Sequence, residues 1–305
     1  MALSEARAPA KADRPADALR LVTLTSDGID AGLALSHAAG WNQTADDWAL
    51  FIQHGHAIGF RDGANRLVAT AAALPYGASA GWISMVLVAD AWRHRGLAND
   101  LMRACVDHLH AAKIAPFLDA TPAGATVYGR LGFAAGFEID RWQRNAATAD
   151  GIENDSPAPE ALTLRLARTS DLDAISRLDR AATGLDRRFL LESFLSRPGS
   201  RACLCADGAG FVIARAGRRA TQIGPLVASE ANEAIALLAN AVASARASAG
   251  RNVFLDLPRC RVEATAWLEA HGFVRQRSFV RMSLGAAHAP APGDASFLLA
   301  GPEFG

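Results

Sequence analysis

The sequence predicts an α/β fold with a mixed sheet that occurs twice along the chain, and three observations support this prediction. The chain has 305 residues, about twice the ~150 residues of a typical domain. Apolar strand-like runs alternate with amphipathic helical segments, which is typical of layered α/β proteins. Short blocks of sequence recur in the same order in the two halves, which indicates an internal duplication.

The repeated blocks occur at similar spacing in each half. The matched pairs are residues 19–21 with 164–166, 87–89 with 226–228, 117–119 with 254–256, and 131–133 with 271–273. Between the halves, residues 147–161 (ATADGIENDSPAPEA) lack apolar periodicity and contain two prolines, which predicts a linker. We therefore expect four regions along the chain. They are a disordered tail at 1–17, a first domain at 18–146, the linker at 147–161 and a second domain at 162–305.

The elements of the first half can be predicted in order. They are a strand at 19–24, helices at 26–39 and 44–53, strands at 56–61, 66–74 and 81–88, a helix at 96–112, a strand at 116–119, a helix at 123–131 and a strand at 136–144. Asp62-Gly63 and Gly77 mark turns between the three central strands. Leu97, Leu101 and Cys105 recur at i, i+4 spacing, which favours one buried helix face. This order predicts an antiparallel front followed by one parallel crossover.

Composition excludes several classes of partner. Lys+Arg and Asp+Glu both number 31, and a chain without net charge lacks the basic surface that nucleic acids and anionic membranes require. No run of ~18–20 apolar residues is present to span a bilayer. The first 16 residues contain no apolar core of a secretory signal. The four cysteines form no zinc-binding set, so we expect no metal, reduced thiols and a cytoplasmic location.

Residues 86–98 form a segment suited to binding a pyrophosphate. An apolar strand ends here, and a short loop leads into the amphipathic helix that begins at Gly96. The small residues Gly96 and Ala98 let the backbone approach a ligand closely. The first-turn N–H groups have no partner within the helix, and together with the helix dipole they favour a phosphate. Arg93 and Arg95 add positive charge.

This segment resembles the acyl-CoA pyrophosphate loop of the GNAT acetyltransferase superfamily, whose pattern is Gln/Arg-x-x-Gly-x-Gly/Ala. Here the pattern is Arg93-x-x-Gly96-x-Ala98. The resemblance implies that acetyl-CoA binds as a co-substrate, with its pantetheine amides paired to the strand like an added strand. An N–H of Leu87 or Val88 would then polarise the thioester carbonyl. The residues assigned to the cofactor are Val86, Leu87, Val88, Arg93, His94, Arg95, Gly96, Leu97 and Ala98.

Downstream, residues 128–133 (YGRLGF) resemble the Tyr-x-x-x-Gly-Phe element of the same superfamily. That tyrosine commonly lies beside the thioester sulfur and protonates the departing thiolate, so the resemblance assigns Tyr128 as the catalytic acid. A phenol of pKa ~10 is a suitable donor. The alternative is that Tyr128 is a packed helix residue with its hydroxyl at the surface. The family often has Asn seven residues earlier, where this chain has Thr121.

The second half lacks these parts. Residues 228–234 (ASEANEA) contain neither glycine nor arginine, and the two glutamates would repel a pyrophosphate. Leu268 stands at the position that corresponds to Tyr128. We therefore predict that the second domain keeps the fold without an acyl-CoA site. Two of its polar strand residues, Asp256 and Arg281, either reach the cleft or form an ion pair.

Trp41, Asn42 and Trp48 lie where GNAT proteins build the acceptor wall, so the resemblance assigns them to the acceptor. The tryptophans are seven residues apart and would share one helix face, with core packing as the alternative. We expect the second half to close one side of the acceptor cleft, with both tryptophans facing it.

The sequence does not identify the general base that would deprotonate the acceptor amine. The strand 81–88 carries no carboxylate, and its alternating face offers only the hydroxyl of Ser84. A water chain, Asp47, His54 and His56 remain as candidate bases.

Certain short segments of both halves look like a bacterial subfamily of tandem GNAT proteins with a divergent C-terminal acetyltransferase-like domain. They are residues 40–44, 47–48, 224–227, 280–282 and 300–305. The resemblance covers nearly all of the chain after residue 17. It implies an N-acetyltransferase that moves an acetyl group from acetyl-CoA to the amine of a small molecule or peptide. The alternative is a non-catalytic acyl-CoA sensor whose second half binds a partner.

Overall fold

A computed structural model describes residues 18–146, 163–249, 252–285 and 293–305. The strands in these ranges are β1 (Arg20–Thr23), β2 (His56–Arg61), β3 (Leu67–Tyr76), β4 (Ala80–Val88), β5 (Ala115–Ala120), β6 (Ala134–Arg144), β7 (Leu164–Leu166), β8 (Arg201–Cys205), β9 (Phe211–Ala216), β10 (Ala220–Val227), β11 (Asn252–Pro258), β12 (Val274–Ser283) and β13 (Ser296–Leu298). The helices are α1 (Ile29–Ala38), α2 (Ala45–His54), α3 (Leu97–Ala111), α4 (Pro122–Arg130), α5 (Leu172–Thr183), α6 (Arg188–Ser196), α7 (Ala231–Ala249) and α8 (Val262–Ala270). The expected tail at 1–17 and linker at 147–161 lie outside the described residues.

The first-half elements predicted from sequence are present, and local chemistry explains their ends. Helix α1 begins three residues later than predicted because residues 26–28 form a 3-10 turn. Helix α2 begins with a capping box, in which Thr44 and Asp47 satisfy each other's backbone N–H groups. Gly132 follows α4 with a φ of 92°, the left-handed conformation expected of a residue that ends a helix. The second half repeats this arrangement, with Gly272 after α8 at a φ of 73°.

One continuous sheet runs through both halves. Its strand order is β1-β2-β3-β4-β5-β12-β6-β11-β10-β9-β8-β7, and β13 pairs with β10 off this path. Strand β12 of the second half therefore lies between β5 and β6, and β6 of the first half lies beside β11. The two tandem folds therefore share one sheet, since each half's closing strand is inserted next to the other half.

Two buried ion pairs link the inserted strands to their neighbours from the other half. Arg281 on β12 is the register partner of Asp119 on β5 and donates two hydrogen bonds of 2.9 Å to its carboxylate. Arg141 on β6 is the register partner of Asp256 on β11 and donates two of 2.8 Å. Both aspartates belong to the repeated Phe-Leu-Asp block, so the two pairs are equivalent by the internal repeat. Asp256 and Arg281 therefore form ion pairs, the second of the two roles expected for them.

The helices cover both faces of the first half of the sheet. The side chains of Leu97, Leu101 and Cys105 are buried against the sheet, as the helical spacing predicted. Alternate residues of β3 face opposite ways, so that Ala71 belongs to the core under α3 and Ala72 to the core under α1 and α2. A second apolar core lies under α7 and α8 in the second half.

The segment after β13 crosses from the second half to the first. Phe304 lies between α2 and α6, stacked on Phe51 at 5.0 Å and edge-on to Phe194 at 5.5 Å between ring centroids. Its ring is fully buried. The last residues of the sequence are therefore part of the core that joins the halves.

Candidate active site

Strands β4 and β5 separate to form an opening in the sheet. They pair in parallel only at residues 80–82 and 115–117, and β4 has no register partner on β5 beyond Trp82. A bulge then bends β4 at Met85, which has a φ of 54° and whose carbonyl accepts a hydrogen bond from Thr70 Oγ1 at 2.9 Å. The result is a strand edge at residues 83–88 that faces a gap and can pair with an extended ligand.

The loop after β4 turns back on itself before α3. It contains a 3-10 turn at Asp90–Trp92 and two left-handed residues, His94 with a φ of 63° and Gly96 with a φ of 84°. The N–H groups of Asn99 and Asp100 donate to the Gly96 carbonyl and are the first bonded amides of α3. The amides before them stand at the helix N-terminus, which is the arrangement that binds a phosphate.

The two arginines of the loop lie at its surface. Arg93 contacts Asp90 at 2.8 Å, with 55% and 88% of the two side chains exposed, so this pair contributes little stability and does not bury the guanidinium. The Arg95 guanidinium lies 4.6 Å from the centroid of the Trp92 ring. Both charges thus lie beside the N-terminus of α3.

Tyr128 lies near the end of α4 and lines a cavity below the opening. Its backbone carbonyl accepts hydrogen bonds from Leu131 and Phe133, which fixes the end of the helix. Burial raises the pKa of the phenol, and none of the residues that the structure describes hydrogen-bonds to its hydroxyl. The side chain is therefore a protonated, unengaged phenol facing a cavity. Thr121 Oγ1, where the family often has Asn, caps α4 by accepting from the Gly124 N–H at 3.2 Å.

The cavity has a volume of about 190 Å³ and both halves of the chain contribute to its wall. The first half contributes Gly40, Trp41, Asn42, Gln43, Ile83, Ser84, Met85, Val86, Met102, Leu118, Asp119, Ala120, Thr121, Tyr128 and Arg141. The second half contributes Phe254, Arg277, Phe279, Pro302 and Glu303. The second half therefore closes one side of this cavity, and the role of this wall in binding an acceptor stays a prediction.

The three residues assigned to the acceptor have different surroundings. Trp41 lines the cavity. Asn42 also lines it, but its side-chain oxygen accepts from the N–H groups of Arg219 and Ala220, which fastens this loop to β10. Trp48 does not line it: the indole is fully buried and donates to Ser36 Oγ at 2.8 Å. The two tryptophans do not share a helix face, because Trp41 lies in the loop before α2.

The three candidate bases all lie outside the cavity wall. Asp47 caps α2 and forms a buried ion pair with Arg197 at 2.5 Å. His54 stacks on the Phe189 ring at 4.4 Å. His56 stacks on another histidine ring at 4.1 Å, and burial lowers its pKa.

The cavity wall instead contains other polar residues, among them Ser84, Asp119 and Glu303. Ser84 is the hydroxyl noted on β4 from the sequence, whereas Asp119 and Glu303 were not assigned to a site. Ser84 Oγ is buried without a hydrogen-bond partner in the described part of the chain, as is Glu303 Oε2. Asp119 is bound to Arg281, and burial raises its pKa. No local pattern identifies Glu303, because its place depends on contacts between residues 220 and 228 positions apart in the sequence.

The equivalent opening in the second half is filled. Strands β10 and β11 pair in parallel over residues 220–223 and 252–255 and then separate. Strand β13 pairs with β10 at Leu226 and Val227, and the N–H of Leu299 donates to the Asp256 carbonyl at 3.0 Å. The chain's own segment thus occupies the gap that is open in the first half.

The remaining parts of a second site are also absent or occupied. The Glu233 carboxylate accepts from the N–H and hydroxyl of Ser229, so a negative charge already stands at the N-terminus of α7. Leu268, at the position of Tyr128, is fully buried in the core. Among the described residues, no group of three or more His, Cys, Asp or Glu side chains could hold a metal ion, and no helix is long and apolar enough to cross a membrane.

Family models of GNAT acetyltransferase domains match each half separately. One matches residues 50–141 and the other matches residues 175–297, together about two thirds of the chain. No protein of curated function matches the sequence closely enough to count as a relative.

Several solved structures have the same fold. A Pyrococcus horikoshii protein classed among acetyltransferases has a TM-score of 0.77 and 18% identity, over 98% of this chain and 100% of that one. A tandem GNAT protein from the clavulanic acid biosynthesis pathway has a TM-score of 0.66 and 18% identity, over 90% and 99%. A GCN5-related N-acetyltransferase from Kribbella flavida has a TM-score of 0.55 and 22% identity, over 88% and 71%. At these identities the likeness concerns the fold.

Proposed function

Because the chain belongs to the GNAT acetyltransferase family and is an acyltransferase with two such folds, we propose that its first half transfers an acetyl group from acetyl-CoA to a small amine. The family uses acyl-CoA as co-substrate. The observation that carries the proposal is the opening between β4 and β5. The cavity is lined by residues 83–86 of β4 and by Tyr128, and β4 leads directly into the loop that ends at Gly96.

In this proposal the cofactor lies along β4. Its pyrophosphate meets the N–H groups at residues 94–98 and the charges of Arg93 and Arg95. Its pantetheine pairs with the strand edge at residues 86–88. The thioester then reaches the cavity, where the N–H of Leu87 or Val88 polarises its carbonyl. The cavity of about 190 Å³ receives the amine, which favours a small acceptor or the end of a peptide.

The chemistry is a direct transfer. The amine nitrogen attacks the thioester carbonyl, the N–C bond forms, and the C–S bond breaks as the tetrahedral intermediate collapses. Tyr128 gives its phenolic proton to the departing sulfur, and the proton that the amine nitrogen loses returns the phenolate to the neutral phenol. The raised pKa keeps the phenol protonated at neutral pH, so it is available as a donor.

A thiol-release assay with acetyl-CoA and a panel of amines tests this proposal. We expect release of free CoA that depends on the amine, together with an acetylated product found by mass spectrometry. Tight binding of acetyl-CoA without turnover on any amine would contradict the proposal and favour a non-catalytic sensor.

A further inference from the structure

The segment at residues 300–305 is held in a fixed conformation by donors from the first half. Tyr76 donates from its hydroxyl to the Phe304 carbonyl at 2.8 Å, and Trp82 Nε1 donates to the Pro302 carbonyl at 3.1 Å. Both donors are buried. Glu303, between these anchored residues, is therefore placed at the cavity wall by the backbone on each side of it.

The carboxylate of Glu303 is buried without a full set of partners. The residue is 8% exposed, and Oε2 has no hydrogen bond from any residue that the structure describes. Oε1 lies 3.4 Å from Arg215 Nη2, a long contact, because the Arg215 guanidinium already donates to the carbonyls of Gly224 and Ala300. A buried carboxylate with an unpartnered oxygen, on a residue that lines a ligand-sized cavity, calls for a cationic or N–H partner.

We propose that Glu303 is the general base of the reaction, which binds the acceptor's ammonium group and takes its proton. This inference rests on the proposed function and supplies the base that β4 lacks. The ammonium N–H bond breaks as an O–H bond forms on the Glu303 carboxylate, and the neutral amine then attacks the thioester. Tyr128 protonates the sulfur, and the second proton lost by the amine nitrogen returns the Tyr128 phenolate to the neutral phenol. Glu303 releases its proton to water after the products leave.

The electrostatic surroundings suit this role. Burial raises the pKa of Glu303, although the positive charges of Arg215 and Arg141 act against the shift. Asp47 raises this pKa further, and the Tyr76 hydroxyl also lies within electrostatic range of the carboxylate. A carboxylate with a raised pKa is a stronger base and takes a proton from an ammonium group more readily.

The test is the kcat of Glu303→Gln at saturating acceptor over a range of pH. Gln keeps the size and the Oε1 acceptor, so we expect a folded protein with wild-type acetyl-CoA affinity. The kcat should fall by about 10²–10⁴-fold. The wild-type kcat should decline as pH falls through the raised pKa of Glu303, because the protonated form cannot accept a proton. The variant should lose this acidic limb.

Controls separate this inference from the proposed function. Glu138→Gln changes an exposed glutamate that pairs with Arg259, and its kcat should stay within about threefold of wild type. If wild type shows no turnover at all, the proposed function is wrong. If wild type turns over and Glu303→Gln keeps both its kcat and its acidic limb, Glu303 is only structural.

Should Glu303→Gln melt without a cooperative transition, Glu303→Asp keeps the charge near Arg215. Its kcat should be lowered and its acidic limb retained, since the shorter side chain is still a base. A wild-type kcat in Glu303→Asp would overturn the inference.

A different observation concerns the chemical class of the acceptor. Arg277 lines the cavity from β12 and is half-buried. Its Nε donates to Gln276 at 3.3 Å, and no carboxylate in the described ranges forms an ion pair with it. The neighbouring cavity arginine, Arg141, forms a buried ion pair with Asp256. Arg277 therefore carries a positive charge into the cavity without a counter-charge of its own.

We infer that the acceptor is an amine that also carries an acidic group, as an amino acid does, and that Arg277 pairs with this group. The inference rests on the proposed function. A planar guanidinium matches a carboxylate with two parallel hydrogen bonds. Glu303 and Arg277 then present opposite charges to a zwitterion. Arg277 gains a counter-charge, and the Glu303 carboxylate gains a partner beyond its long contact with Arg215.

The test compares amino acids with their carboxamides, which differ only in the acidic group. Wild type should favour the acids in kcat/KM by about 10–100-fold, the range for a hydrogen bond to a charged group. Arg277→Met should abolish this preference. Arg275→Met is the matched control, because Arg275 lies on the same strand, is about half exposed and pairs with Asp140 instead. Equal use of acids and amides by wild type, or a preference that survives in Arg277→Met, would overturn the inference.

Discussion

The two halves of the chain have the same architecture, yet one cleft is open and the other is filled. In the first half, β4 and β5 separate beside a left-handed glycine loop, and a phenol faces the gap. In the second half, the gap between β10 and β11 contains β13. The second opening is thus occupied by a segment of the same chain, and the continuation of that segment carries Glu303 to the cavity wall of the first half.

The exchange of closing strands makes this division possible. Because β12 lies beside β5 and β6 beside β11, the wall of the first cleft contains residues from the second half. A fragment ending at residue 148 would lack β12 and leave Asp119 without Arg281. The halves are therefore expected to depend on each other for both stability and the shape of the acceptor cavity.

The largest expected effect is on acetyl-CoA binding at the loop that ends at Gly96, for which the second half has no counterpart. Gly96→Glu places a negative charge where the pyrophosphate binds, and a like charge about 4 Å away costs ~4 kcal/mol near a surface, roughly 10³-fold in affinity. Calorimetry with acetyl-CoA should detect no binding. Gly184→Glu is the matched control, since Gly184 is also left-handed, with a φ of 72°, and also has open space around its Cβ position. Equal loss in both variants would mean that strain at the glycine is responsible.

The next largest effect concerns the phenol of Tyr128, whose corresponding position in the second half is occupied by Leu268. Tyr128→Phe keeps the ring packing and removes the proton donor, so kcat should fall by about 10²–10⁴-fold while the acetyl-CoA Kd stays unchanged. Since burial raises the pKa of Tyr128, wild-type activity should persist up to the ordinary phenol pKa of ~10. A fall in kcat of less than about threefold would assign the protonation of the thiolate to water.

A third prediction compares the two ion pairs that fasten the exchanged strands. Arg281→Met leaves the Asp119 charge buried and unpaired, which should lower the free energy of unfolding by about 3–5 kcal/mol. Arg141→Met should cost less, because Gln222 Nε2 still donates to the Asp256 carboxylate at 2.9 Å. Urea denaturation measures both. Equal losses of unfolding free energy in the two variants would show that the Gln222 hydrogen bond does not compensate the Asp256 carboxylate for the missing arginine.

Sequence reasoning succeeded where neighbours along the chain determine the outcome. The loop, the ends of α4 and the buried face of α3 follow from local spacing and from glycines that must be left-handed. The exchange of β6 and β12 does not follow from local spacing. Both strands carry similar alternating patterns, so either strand fits either position in the sheet. The bulge at Met85 and the position of Glu303 also depend on distant packing.

The smallest expected effect tests the departure from the family at Thr121. Thr121→Asn keeps a side chain that caps α4, since Asn is at least as good an N-cap as Thr. It also adds an amide beside the cavity. We expect kcat and the acetyl-CoA Kd to stay within about threefold of wild type. A tenfold gain in affinity would show that the Asn contact seen in the family is missing here.

The measurement that tests the account most directly is the stoichiometry of acetyl-CoA binding to the intact chain. Isothermal titration calorimetry should give one site per chain, because β13 fills the second opening and Glu233 stands at the N-terminus of α7. The heat should disappear in Gly96→Glu. Two sites per chain, or one site that persists in Gly96→Glu, would contradict the claim that only the first half binds the cofactor.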